Sequence, residues 1–109
     1  MPYDAKLAEK IRKIVQRRAN VTEREQFGGV GFLYRGNMAV GVIGPDLLVR
    51  VGADQDATAL KSPHTRPFAL TGRPSKGWIL VAPQGSKSAA GLRKWVELGL
   101  AFAKTLPAK

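Results

Sequence analysis

Apolar side chains recur at steps of three and four over the first twenty residues. Leu7, Ala8, Ile11, Ile14 and Val15 form one stripe, and Lys6, Lys10, Lys13 and Arg17 fall on another side. That is the spacing of a helix with one face turned to a core. Asp4 stands just before the stripe, where its carboxylate can accept from the amides of an opening turn. The pattern predicts a helix from about residue 4 to 18 that ends near Ala19–Asn20.

The period then changes to two. "VTEREQF" alternates, with Val21, Glu23 and Glu25 opposite Thr22, Arg24 and Gln26, and "VGFLY", "MAVGVI" and "LLVRV" follow as further strand-like runs. Arg35-Gly36-Asn37 between two such runs is a hairpin signal, because glycine accepts positive φ without steric cost. In "IGPDLL", Pro45 presets φ and Asp46 can bond its own backbone, which marks another turn. "ADQDATALK" predicts a short helix capped by Asp54 or Ala53. "SPHTRPFALTGRPSKG" is a long basic loop with an extended piece around Phe68, and "WILVA" is a further strand. After "PQGSKS", the residues Leu92, Trp95, Val96, Gly99, Phe102, Ala103 and Leu106 line one face of a last helix that Pro107 ends.

Consecutive strands joined by tight turns imply antiparallel pairing. The two amphipathic end helices must bury their stripes, and one face of the sheet is the economical place. The expected fold is therefore α+β: a two-layer single domain over residues 1–109. It has an antiparallel meander sheet of about five to six strands, with the N- and C-terminal helices on one face. No internal repeat or linker divides the chain.

"QFGGVGF" at residues 26–32 poses a separate question, since glycine-rich loops can cradle phosphates. A dinucleotide loop needs G-x-G-x-x-G between a strand and a helix. Gly29 and Gly31 supply the first pair, but the next required glycine falls on Tyr34, and a hairpin follows instead of a helix. The glycines fit better as a tight connection or bulge between the first two strands.

Composition narrows the chemistry. There is no cysteine among the 109 residues, so disulfides, thiolate zinc sites and cysteine nucleophiles are excluded. That suits a cytoplasmic protein. No secretory signal is visible at the N-terminus, and "WVELGLAFA" is too short to span a bilayer. Net charge is +10, unevenly placed: residues 61–87 carry Lys61, Arg66, Arg73, Lys76 and Lys87 and no acid. Such a segment favours an anionic partner, or it simply keeps a small domain dispersed.

No nucleophile motif is present, and His64, the one histidine, sits in a loop. Asp54 and Asp56 lack the further acids of an EF-hand loop. No catalytic residue, cofactor site or metal site is assigned. Arg66, Arg73 and Lys76 with Trp78 could contact phosphates and stack on a base, the basis for nucleic-acid binding as an alternative function. Arg50, between Val49 and Val51, falls on the face opposite them. If that face is partly covered, it needs a carboxylate or carbonyl, with Glu23 or Glu25 as the candidate partner.

"EREQFGGVGFLYRGNMAVGV", "LLVRVG", "HTRPFALTGRPSKGWILV" and "LRKWVELGLAFAKTLP", in this order, resemble the TfoX N-terminal domain family over about residues 21–107. Gln26 stands where the family usually has methionine, while Phe27, Gly28 and Gly29 match, and Arg50 lies in the second motif. The resemblance implies an α+β fold with an antiparallel sheet, frequently a homodimer, no established enzymatic activity and no agreed cofactor. Together with the lack of a catalytic set, it points to a regulatory or interaction module with protein as a candidate partner; nucleic acid remains the partner that the basic loop and first helix suggest, and no membrane partner is expected from the apolar runs. Exposed Phe27, Phe32 or Tyr34 would be natural seam residues of a dimer.

Overall fold

The structure, a computed structural model, describes residues 3–26, 28–69 and 74–108. Helix α1 (Ala5–Val15) opens under the Asp4 cap, whose carboxylate accepts from the amides of Lys6 and Leu7 at 2.9 and 3.2 Å. It buries Leu7, Ala8, Ile11 and Val15. It stops earlier than the apolar spacing predicts. The segment after Val15 unwinds through turns to Asn20, whose φ of +69° breaks the helix, and this release lets Arg18 reach Glu97 on the far helix.

Strands β1 (Val21–Gln26), β2 (Gly29–Tyr34), β3 (Asn37–Ile43) and β4 (Asp46–Arg50) form an antiparallel meander. Tyr34 pairs with Asn37, so the turn is Arg35-Gly36, with φ of +49° and +87°. Both central residues at positive φ match the right-handed twist of the strands. The chain then passes through α2 (Asp56–Ala59) and returns as β5 (Thr65–Ala69) and β6 (Pro74–Val81). This last hairpin enters with its second strand inside, giving the order β1-β2-β3-β4-β6-β5. A turn of helix α3 (Pro83–Ser86) leads into α4 (Ala89–Ala103), capped by the Ser88 hydroxyl, which accepts from the Gly91 amide at 3.0 Å.

The predicted cap of α2 is different in the structure. The residue before the helix is Gln55, with no side-chain cap, and Asp54 is exposed. Asp56 instead accepts from the Gly77 amide at 3.0 Å, which ties α2 to β6. Gly77 also takes both the Val51 and Gly52 amides on its carbonyl. Asp46, expected to serve the turn, pairs with Arg66 through its carboxylate.

All four helices lie on one layer. Ile11, Phe32, Val40, Leu47, Val49, Ile79, Trp95, Val96 and Leu100 belong to one buried core between α1, α4 and the sheet. Burying each large aliphatic there contributes roughly 1.5–3 kcal/mol. α4 lies across β3 and β4, and Gly99 permits the contact, since a Cβ there would meet the Ala39 carbonyl oxygen at 2.4 Å. The glycines of "QFGGVGF" are also structural. Gln26 pairs with Gly29, Gly28 has φ +74°, and a Cβ on Gly29 would lie 2.1 Å from the Val42 oxygen. The glycines make the β1–β2 turn and admit β3 at close range. Phe27, the motif's first match, lies outside the described residues.

Candidate interaction surfaces

The sheet has a second apolar cluster on the face away from the helices. Leu33, Met38 and Leu48 are buried in it, and Ile43, Phe68, Trp78 and Leu80 pack around them half-exposed. Every member is a strand residue. Period-two alternation produces this: Leu47 and Val49 serve the helix side, and Leu48 and Arg50 the outer side.

Arg50 stands at the end of this face, opposite Val49 and Val51 as the alternation requires. The predicted partner is overturned. Glu23 and Glu25 lie on β1, three strands away in the sheet order, and Glu23 is held by Arg12, whose Nε and Nη2 donate to the two carboxylate oxygens at 2.8 Å each. The Arg50 guanidinium lies instead 4.9 Å from the Trp78 ring centre and 5.4 Å from that of Phe102. Delocalised charge tolerates such surroundings, because the ring faces carry negative potential. Burial still presses its pKa below the ordinary arginine value.

Three of the four residues proposed for anion contact are described, and each has its own surroundings. Arg66 is on β5 and pairs with Asp46. Lys76 is exposed on β6. Trp78, two residues on, has one neighbour in Arg50 and another in Phe68, whose ring centre is 6.5 Å away. Arg73 lies outside the described residues. Of the seam candidates, Phe32 is 1% exposed and belongs to the core, so it is not available. Tyr34 is half-buried between two cations, with Arg35 5.6 Å and Lys104 5.7 Å from its ring centre. His64 is exposed with φ +67°.

Among the described residues, the acids are largely engaged. Arg18 grips both Glu97 oxygens, one at 2.6 Å, and holds that carboxyl below its ordinary range, chiefly through the hydrogen bonds. Arg12 does the same to Glu23. No group of three or more His, Asp or Glu among the described residues is placed to hold a metal.

Sequence reasoning missed one constellation. Lys10 and Lys13 of α1 face Lys87, at the end of α3, and Arg93, in the first half of α4, across a groove of about 260 Å³. Lys87 was visible as the end of the acid-free segment and the two lysines as one side of the first helix. Their meeting depends on how α1 and α4 pack side by side, which no local pattern states.

The TfoX N-terminal domain family model matches residues 13–103, a regulatory-type domain family not known as enzymatic. No curated protein and no solved structure matches the chain. No described helix is long and apolar enough to cross a membrane.

Proposed function

From the premise that this chain belongs to the TfoX N-terminal domain family, we propose that it is a non-catalytic regulatory module that acts through contacts and pairs with a second copy of itself. The outer apolar cluster carries this reading. A face holding Phe68, Trp78, Leu80 and Ile43 half-exposed is more apolar than a solvated sheet side needs, and such patches mark interaction surfaces.

Charge selects the occupant. A second copy also carries +10, so it is repelled from the lysine-rich helix side. On the outer face, Asp46 neutralises Arg66, and Arg50 is folded against two rings. Lys76 is the exposed cation on the same side of β6 as Trp78, so two copies meet there with less like-charge repulsion than across the lysine-rich helix side.

Sedimentation velocity at micromolar concentration tests the reading. A dimeric mass is expected, with Phe68→Glu monomeric and its melting temperature close to the parent's. A parent that stays monomeric at all accessible concentrations overturns it. Nucleic-acid binding through segment 61–87 and α1 has weaker support, because Arg66 is already paired and Arg50 occupies one side of Trp78. A labelled duplex whose binding weakens steeply with salt would restore it.

A further inference from the structure

The groove between α1 and the start of α4 has an uncommon make-up. Its floor is aliphatic: Leu92, 2% exposed, and the half-buried Ile14. Its rim is cationic: Lys10 and Lys13 on one bank, Lys87 and Arg93 on the other. The ion pairs among the described residues use Arg12, Arg18 and Arg66, and none of these four. Two acids lie near the rim among the described residues, and both are engaged: Glu97, which Arg93 reaches electrostatically, has both oxygens held by Arg18, and Asp4 caps α1.

The trough continues along α1. A second depression shares Lys10 and Lys87 and extends to Lys6. Lys6, Lys10 and Lys13 lie on one side of α1 at steps of four and three. At 1.5 Å per residue they span about 10 Å, the length of two helical turns or three extended residues.

We infer that this groove is a docking site for an acidic protein segment that carries a large apolar side chain. Four cations that enter none of the ion pairs among the described residues call for carboxylates, and an aliphatic floor calls for a side chain that water would rather release. A nucleic acid satisfies only the first demand. Its bases need a ring to stack on or donors to read, and the floor supplies Ile14 and Leu92. Charge complementarity therefore singles out an acidic, leucine- or phenylalanine-bearing peptide. The inference deepens the reading of the chain as an interaction module, but it does not depend on self-pairing, because the groove and the outer sheet face lie on opposite sides of the sheet.

Fluorescence anisotropy with three labelled probes tests it: a synthetic peptide of about twelve residues of Asp, Glu and Leu, the same peptide with each Leu replaced by Ser, and an oligothymidylate of equal charge. The leucine peptide is expected to bind, and the serine peptide about tenfold more weakly or worse, the loss of an apolar anchor. Lys10→Glu with Lys87→Glu should lower affinity at least as much. Ala89→Glu serves as the folding control. Ala89 is exposed at the groove, and the first turn of α4 holds no acid. A glutamate there favours the helix dipole, so lost binding with an unchanged or raised melting temperature isolates the groove. Absence of peptide binding, or equal binding of all three probes, overturns the proposal. So does a set of amide shifts centred on Trp78 and Leu80 instead of Ile14 and Leu92. A monomeric protein that still binds the leucine peptide would sink self-pairing alone.

Discussion

Gly99 of α4 rests on Ala39 of β3 so closely that a Cβ on Gly99 would come within 2.4 Å of the Ala39 carbonyl oxygen. The same Cβ would touch a Val40 methyl at 2.8 Å. The oxygen belongs to a strand in the interior of the sheet and cannot give way, so the helix must. Gly99→Ala should therefore destabilise the fold by about 2 kcal/mol, the overpacking cost less the propensity alanine gains over glycine in a helix. Urea denaturation measures it. An unchanged midpoint would mean that α4 is not seated this deeply.

The acid limb of stability should follow two carboxyls. Glu23 and Glu97 both have folded-state pKa values below the ordinary one, set mainly by hydrogen bonds from Arg12 and Arg18. A depressed folded value means the unfolded chain binds protons first as pH falls. The stabilisation is fully present above the ordinary carboxyl value and fades as pH drops through the depressed one. These side chains are 37% and 43% exposed, so water screens each pair to about 0.5 kcal/mol. Glu23→Gln with Glu97→Gln should flatten the melting temperature below pH 5 relative to the parent, and added salt should shrink the difference.

Arg50 should behave as a packing residue whose charge is dispensable. It stacks on Trp78 and Phe102 and has no carboxylate partner among the described residues. Arg50→Met keeps the contact with both rings and removes a desolvated charge, so its stability should stay within about 0.5 kcal/mol of the parent. Arg50→Ala loses the stacking and should cost about 1–2 kcal/mol. Chemical denaturation of both variants separates the two contributions, and equal losses would show that the charge itself matters.

Asn37 closes the C-terminal end. It is 3% exposed, and its Nδ2 donates to the Pro107 carbonyl at 2.8 Å. Asn37→Ala should cost about 1–2 kcal/mol, because it removes a buried hydrogen bond. Hydrogen exchange should also speed up in the last turn of α4. Unchanged exchange there would show that Pro107 is held by something else.

Gly28 gives a direct check on the glycine-rich turn. Its φ is +74°, with nothing within 4 Å of an added Cβ. Gly28→Ala should then cost about 1 kcal/mol from backbone strain alone, and Gly28→Asn less, since asparagine tolerates that conformation. A larger loss for Asn than for Ala, seen in thermal melts, would contradict a purely conformational role.

Local pattern determined much of this protein. The stripe through Leu7, Ile11 and Val15, the alternation through Val40, Val42, Leu47 and Val49, and the spacing of Leu92, Trp95 and Val96 each state which side is buried, because helix and strand periods are properties of the backbone. The same alternation placed Arg50 on the outer side. Tertiary structure decided what such patterns do not contain. Arg50 meets rings and no acid because β4 sits beside β6, with α4 ending nearby. Arg66 is spent on Asp46 because β5 and β6 return toward the β3–β4 turn. The lysines of α1 gain Lys87 and Arg93 as neighbours because two helices distant in sequence pack side by side on one sheet face. A periodicity specifies the direction of a side chain from its own backbone; which other segment waits in that direction depends on strand order and helix placement, and these follow from the free energy of the whole chain.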